Sequence, residues 1–421
     1  MNSQAREMFV RNTRIAVITQ AVKLADEAAG LNRTSYIAEL LVQEGYEVDL
    51  LTSTFQHWEK TRRDIANPKY HELPYEVIFI EEPGYSSNIN PVRIHSQNVF
   101  AKNLNTYLRR YGANYDLIWC QIPPNNIAAT AGTFAREQNI PFIVDINDLW
   151  PEAMKMVVDI PVLSDFAFSN FVRDAAIAYA SATAVVGTSD EYARRCMQDI
   201  PHRTVYVGVD IERFDDGVRR HASIIEKDED EFWIAYAGSL AKSYDIETLI
   251  RACQYAAPII QEERGMHLHL HILGDGPARQ HLENVAIRVP GHVTFNGYLD
   301  YQIMAAYLAK SDILVNSLIK GAPQSIVSKI ADYLCAGKPI INTGESVEFR
   351  SKCTQDGFGV NVEPENAIEL AGTIVALAGN DALRKQMGAR GREIAEKQFN
   401  RPIAYREIVE LVNEQLLRQM P

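Results

Sequence analysis

Residues Gly321 to Asn342 read G-A-P-Q-S-I-V-S-K-I-A-D-Y-L-C-A-G-K-P-I-I-N, and this succession of polar loop, helix and buried strand decides how the chain is read. From Ser325 to Ala336 there is neither Gly nor Pro, and Ile326, Ile330 and Tyr333 recur at helical spacing, so the stretch predicts a helix. Gly337 supplies a C-terminal stop, and Pro339 to Ile341 is an apolar run suited to a buried strand. A helix start leaves backbone N–H groups unpaired and carries the positive end of the helix dipole, so Gln324, Ser325, Ile326 and Val327 form a candidate cradle for a diphosphate. Asp332 follows roughly 12 Å further along such a helix, where its carboxylate suits hydrogen bonds from a ribose diol. Taken alone, the segment fits equally well an ordinary surface helix feeding a strand.

The same alternation runs outward in both directions. Short β-branched runs at Ile15 to Thr19, Val48 to Thr52, Val77 to Ile80, Leu117 to Cys120, Phe142 to Ile146 and Ala184 to Gly187 are separated by helical stretches. After an acidic, strand-poor segment at Asp215 to Glu231 the pattern restarts with Trp233 to Ala237, Leu268 to Leu273, Val293 to Phe295, Ile313 to Val315 and Pro339 to Ile341. Strands alternating with helices predict parallel sheets, so the expected fold class is α/β with two doubly wound domains. Expected boundaries are residues 1–212 and 213–398, with a terminal helix in 399–421, roughly Pro402 to Gln419. Ligands in such sheets bind at the carboxyl ends of the strands, which makes the cleft between the domains the expected active site.

A chain of 421 residues, 47% hydrophobic and 23% charged, is long enough for two cores. Its net charge of -12 argues against broad nucleic-acid binding. Five scattered cysteines without C-x-x-C spacing point neither to a zinc site nor to a disulfide framework, and a cytoplasmic location is expected. The N-terminus carries charges where a signal peptide needs an apolar core, and the longest uncharged stretches are broken or too short to span a bilayer. The acidic run Asp228 to Asp230 reads as a solvated loop, the histidines show no ligand spacing, and no protein-bound metal is predicted.

Several strand ends carry small or polar groups. Gly238, Ser239 and Lys242 follow the first strand of the second half, where a glycine lets backbone approach a phosphate and a lysine neutralises it. Lys329 is a second candidate cation. Gly274 and Gly276 follow the next strand, and Gly297 with Tyr298 the one after, where they line a base pocket or serve as a turn glycine and a core tyrosine. In the first half, Gly30 to Ser35 precedes a helix predicted for Tyr36 to Glu44, with Arg33 adding charge. Asn147 and Asp148 follow the strand ending at Ile146; Asp148 either accepts a proton or caps the next helix. His57, Trp58 and Lys60, with Arg62 and Arg63 beyond, combine aromatics and bases suited to an acceptor pyrophosphate or an anionic membrane surface.

The segment Gln324, seven residues, Asp332, then Ala336-Gly337-Lys338-Pro339 resembles the donor site of glycosyltransferase family 4, retaining enzymes of the GT-B fold, where a Glu, seven residues and a second Glu precede A-G-K-P. The G-D-G-P at Gly274 to Pro277 and the D-L-W-P-E at Asp148 to Glu152 fit the same family, the latter a branch active on bacterial surface polysaccharides. The resemblance implies two Rossmann-like domains with a C-terminal helix returning to the first, and a donor site in the second. It assigns the donor sugar to Gln324, with Asn147 and Asp148 beside the reacting centre, and the ribose to Asp332. It implies a UDP- or GDP-sugar donor, no protein-bound cofactor, and a polyprenyl-diphosphate-linked saccharide as acceptor, reached at the inner membrane surface. The sequence departs from the pattern at Gln324 for Glu, Ser239 for Arg and Asn147 for His. Two alternatives follow: a nucleotide-sugar epimerase or hydrolase on the same fold, and an inactive nucleotide-binding relative.

Overall fold

The computed structural model describes residues 13–27, 32–88, 90–152, 164–196, 199–288, 292–322 and 325–419. By its internal contacts the chain divides into two compact units, Met1–Val205 with Tyr405–Pro421, and Tyr206–Ala404. The sequence reading placed these divisions at 212/213 and 398/399.

In the first unit, β1 (Arg14–Ile18), β2 (Glu47–Ser53), β5 (Glu76–Ile80), β6 (Leu117–Ile122), β7 (Phe142–Ile146), β8 (Ala184–Gly187) and β9 (His202–Thr204) form one parallel sheet in the order β5-β2-β1-β6-β7-β8-β9. A small antiparallel pair, β3 (Phe55–Gln56) and β4 (Thr61–Arg62), follows β2. Helices on both faces bury the central strands, which is why β6 and β7 read as apolar runs broken only by Gln121 and Asp145 instead of alternating ones. Ile118, Cys120, Ile122, Val144 and Ile146 meet Phe100, Leu104, Ile127 and Phe134 there. The helix Arg406–Leu417 belongs to this unit, lying against β6, β8 and β9 with Ile408, Leu411 and Val412 buried. Arg203 holds it through Glu414 at 2.6 Å and Glu407 at 3.2 Å.

In the second unit, β10 (Glu231–Ala237), β11 (His267–Leu273), β12 (Val293–Gly297), β13 (Ile313–Asn316), β14 (Ile340–Asn342) and β15 (Gly359–Asn361) are parallel in the order β12-β11-β10-β13-β14-β15. The register pairs Ala237 with Leu273 and Ile234 with Ile313. In both sheets the strand order reverses beside the first strand, between β1 and β6 and between β10 and β13, and the strand ends at such a switch point are where doubly wound sheets take ligands.

Every strand expected from the sequence is present, whereas β3, β4, β9 and β15 were not foreseen. Three helix starts differ. The helix expected from Tyr36 begins at Arg33, because the Asn32 side chain accepts the Ser35 N–H at 3.0 Å and caps it there. The terminal helix is split into Arg401–Ala404 and Arg406–Leu417. The helix expected from Ser325 begins only at Lys329 and ends at Cys335.

Candidate functional site

The carboxyl ends of β10 and β11 are two glycine turns laid against each other. Gly238 and Gly274 both have φ of +146°, a conformation that only glycine adopts freely. A Cβ on Gly274 would stand 1.9 Å from the Gly238 carbonyl oxygen, and one on Gly276 would stand 2.6 Å from that of Leu240. The Gly238 N–H donates to the Leu273 carbonyl at 2.9 Å, and the Leu240 N–H to that of Asp275 at 3.0 Å. These glycines are therefore required first for backbone-to-backbone packing of the two turns. Ser239 and Lys242 are exposed on the first turn, and the Ser239 carbonyl accepts the Tyr236 hydroxyl at 2.8 Å.

Directly beneath Gly238 lies Lys329: a Cβ on that glycine would meet its Nζ at 2.7 Å. The lysine is 9% exposed, and among the described residues its Nζ has no hydrogen-bond partner. It sits between two tyrosine rings, 3.9 Å from the centroid of Tyr236 and 4.0 Å from that of Tyr244. Burial pushes its pKa well below the ordinary lysine value. A buried amine with no polar partner is costly, so its position here needs a reason beyond packing.

The residues before Lys329 do not form the first turn of a helix. Ser325 is buried, with its Oγ 3.2 Å from Ser346 Oγ and 3.5 Å from Glu348 Oε2, and Ile326 and Val327 pack on the core beside Ile330 and Leu334. Among the described residues, the backbone N–H groups of Ser325, Ile326 and Val327 donate to no protein acceptor. Asp332 is half-buried and accepts the Tyr301 hydroxyl at 2.8 Å. Burial pushes its carboxyl up to about 6, against the pull of the Tyr301 hydrogen bond and of the Arg401 charge. The Tyr333 hydroxyl accepts the Ala237 N–H at 2.7 Å and fixes the end of β10. Tyr298 is 84% exposed, so it is no core tyrosine. Gln324 lies outside the described residues, as does Gly30 of the first unit.

Sequence reasoning missed Tyr301, and it missed a buried asparagine ladder at the ends of the last three strands. Asn316 Nδ2 donates to Asn342 Oδ1 and Asn342 Nδ2 to Asn361 Oδ1, each at 2.9 Å. Asn316 Oδ1 is buried with no donor among the described residues. Three strands each ending in Asn was the available signal.

In the first unit, Arg33 is corrected from ligand contact to internal support. Its guanidinium is 6% exposed and grips the fully buried Asp145 through Nε at 3.0 Å and Nη2 at 2.9 Å. Nη1 reaches the Val205 carbonyl at 2.9 Å and the Tyr405 hydroxyl at 3.1 Å. Burial opposes its charge, and Asp145 with Tyr405 outweighs that, so its pKa stays raised. Arg63 is likewise spent, on Glu27 at 2.7 Å and the carbonyls of Ser53 and Val22. Asn147 donates to the Asp145 carbonyl at 3.1 Å, and Asp148 accepts the Leu149 N–H at 2.9 Å, its carboxyl raised by burial. His57 Nδ1 is 2.5 Å from the Tyr85 hydroxyl, and Lys60 Nζ donates to Asn88 Oδ1 at 2.8 Å. Trp58 is 46% exposed, with the Lys23 ammonium 5.3 Å from its ring.

With this geometry in place, comparison adds three findings. Residues 231–380, the glycine turns through Asp332 and beyond, match the family model for group 1 glycosyl transferases. A stretch of 141 residues, 33% of this chain, is 23% identical to an uncharacterized glycosyltransferase of Methanocaldococcus jannaschii, and the chain spans 39% of that relative's length. Among solved structures, Anabaena HepE in complex with UDP superposes with a TM-score of 0.67 at 15% identity, covering 96% of this chain and 100% of that one. Sucrose-phosphate synthase from Thermosynechococcus elongatus gives 0.69 at 19%, covering 97% and 100%. The two Rossmann-like units are those of the GT-B fold.

Proposed function

We propose that the chain is a glycosyltransferase that takes a sugar from a nucleotide diphosphate sugar, UDP- or GDP-linked, and transfers it with retention to a saccharide acceptor. The observation that carries this reading is Lys329, a buried amine beneath Gly238, next to the backbone N–H groups of Ser325, Ile326 and Val327, all four without a hydrogen-bond partner among the described residues, within the stretch that matches the glycosyl transferase model. Such a set is preorganised for a diphosphate. It also reorders the two candidate cations: Lys329 neutralises the diphosphate, and the exposed Lys242 adds charge from the rim. Asp332, oriented by Tyr301, takes the ribose hydroxyls.

The chemistry needs no enzyme nucleophile. As the bond from the sugar to the phosphate breaks, negative charge grows on the leaving diphosphate, and Lys329 with the N–H groups of Ser325 to Val327 stabilises it. The acceptor hydroxyl attacks from the same face, and its proton passes to the leaving phosphate. Asn147 holds no titratable proton, and Asp148 orients the acceptor. A lipid-linked acceptor of a bacterial surface polysaccharide is supported by the D-L-W-P-E at Asp148 to Glu152 and by the bases and aromatics around His57. Among the described residues no helix is long and apolar enough to cross a membrane, so such an acceptor would be met by surface contact.

Calorimetry with a panel of nucleotide diphosphates, followed by donor turnover with and without a bacterial lipid extract, tests the reading. Selective binding with extract-dependent release of nucleotide diphosphate is expected. Turnover without extract would favour an epimerase or hydrolase, and binding without turnover under any acceptor would favour an inactive relative.

A further inference from the structure

We propose that Lys60 and Arg93, which share the ring of Tyr85 as a cation–π partner, form a phosphate-binding site in the first unit that receives the phosphate or diphosphate of the acceptor. Only the word acceptor rests on the glycosyltransferase reading; the anion site rests on its own geometry.

The two cations converge on shared neutral partners. Lys60 Nζ donates to the His57 carbonyl and to Asn88 Oδ1, and lies 5.3 Å from the Tyr85 ring centroid. The Arg93 guanidinium lies 5.6 Å from the same centroid and 5.0 Å from that of Trp150, and its Nη1 donates to the Asn88 carbonyl at 2.9 Å. Arg93 Nε is buried with no partner among the described residues. The charges feel each other: burial and then Arg93 lower the Lys60 pKa, and burial, Lys60 and Arg93 together push His57 down to about 4.

What this cluster lacks is a carboxylate. Among the described residues neither Lys60 nor Arg93 has one within ion-pair distance, whereas Arg33 and Arg63 of the same unit each have theirs. The carboxylate that Tyr85 feels, Glu82, is 3% exposed and taken up by Gln20 at 2.7 Å, Ser96 at 2.6 Å and Ser53. Two like charges held together by neutral groups are mutually repulsive until an anion joins them. A planar guanidinium beside an ammonium, over an aromatic floor, suits a doubly charged tetrahedral anion. Lys60 moreover holds φ of +56°, which a lysine adopts only at a cost. Lys60 lies in the turn between β3 and β4, after β2, and Arg93 in the first turn of the helix Pro91–Tyr111, after β5, so both follow carboxyl strand ends, the ligand-binding edge of such a sheet.

The test is calorimetric titration of the full chain with inorganic pyrophosphate in the presence of excess UDP and GDP, which fill the second unit's site. Pyrophosphate is expected to bind still, with Arg93→Gln and Lys60→Gln each weakening it by about tenfold or more and Arg93→Lys recovering part of the loss. Thermal melts of the variants separate this from unfolding. Unchanged affinity in folded Arg93→Gln and Lys60→Gln, or no binding once nucleotide is present, would overturn the proposal. Competition by farnesyl diphosphate would support a lipid diphosphate as the source. Competition by phosphatidylglycerol vesicles alone would overturn the acceptor assignment in favour of a membrane headgroup. If neither nucleotide binds while the variant losses persist, the anion site stands and the transferase reading falls.

Discussion

Lys329→Met separates a ligand-binding lysine from a structural one, because the two roles predict opposite signs in two assays. Methionine follows the path of the lysine stem between Tyr236 and Tyr244 and removes an amine that is 9% exposed and unpartnered. Relieving that unmet polar group should stabilise the empty protein by about 1–2 kcal/mol. Loss of a charge-assisted contact to the diphosphate should cost about 1.5–3 kcal/mol of binding, on the order of 10- to 100-fold in Kd. The pH dependence has a definite sign. The folded pKa is depressed below the ordinary 10.5, so the unfolded chain binds the extra proton, and wild-type stability falls as pH is lowered from 10.5 towards the folded value. The stabilising effect of methionine therefore grows as pH falls over the same interval, and above it only the part owed to the unmet polar group remains. Thermal melts across pH, paired with calorimetry of UDP and GDP, read both quantities. A variant that melts lower than wild type and binds nucleotide equally well would refute the reasoning.

Four further outcomes follow from the same geometry. Burial lowers the Lys329 pKa in the empty site and a bound diphosphate raises it again, so donor binding should take up protons, seen as a buffer-dependent binding enthalpy; identical enthalpies in phosphate-free buffers of different ionisation heat would contradict it. Asp332→Asn should raise stability at pH 7 by on the order of 1 kcal/mol, because a carboxyl raised to about 6 costs stability once pH exceeds its unfolded value, while nucleotide affinity falls. In the wild type that affinity should drop as pH falls through about 6. Arg33→Met should destabilise the first unit by about 3–5 kcal/mol by stranding the fully buried Asp145, with no specific effect on nucleotide affinity; a stable variant with altered acceptor kinetics would restore Arg33 to the ligand. His271, stacked on His269 at 4.4 Å and tilted against Trp233 at 4.2 Å, is pushed down to about 4 by burial and by His269, so stability is lost as pH falls from 6.5 towards 4, and His271→Phe should flatten that loss in acid melts.

The sheets were legible because buried parallel strands need β-branched runs, and each run from Ile15 to Ile341 marks one. Of the sheet strands that escaped, His202–Thr204 and Gly359–Asn361 are short, polar or glycine-led edge strands whose pairing is fixed by neighbours far along the chain, and the pair β3 and β4 is only two residues a strand. The start of the helix before Asp332 was misplaced because local propensity is uniform from Ser325 onward, while Ser346, Glu348 and the core beside Ile330 hold Ser325 to Val327 out of the helix. Arg33 looked like a loop cation because its partner Asp145 lies 112 residues away. For the same reason Arg93 and Tyr301 went unseen. The value of Lys329 lies in what surrounds it, namely two rings, a glycine turn and, among the described residues, no hydrogen-bond partner, and no spacing rule encodes that combination.

The most direct measurement is release of nucleotide diphosphate from a panel of nucleotide sugars by the full chain, with and without a bacterial lipid extract, in wild type and Lys329→Met. Extract-dependent release from one donor, lost or sharply reduced in the variant, is the predicted result. Failure of every nucleotide to bind, or wild-type turnover by Lys329→Met, would contradict it.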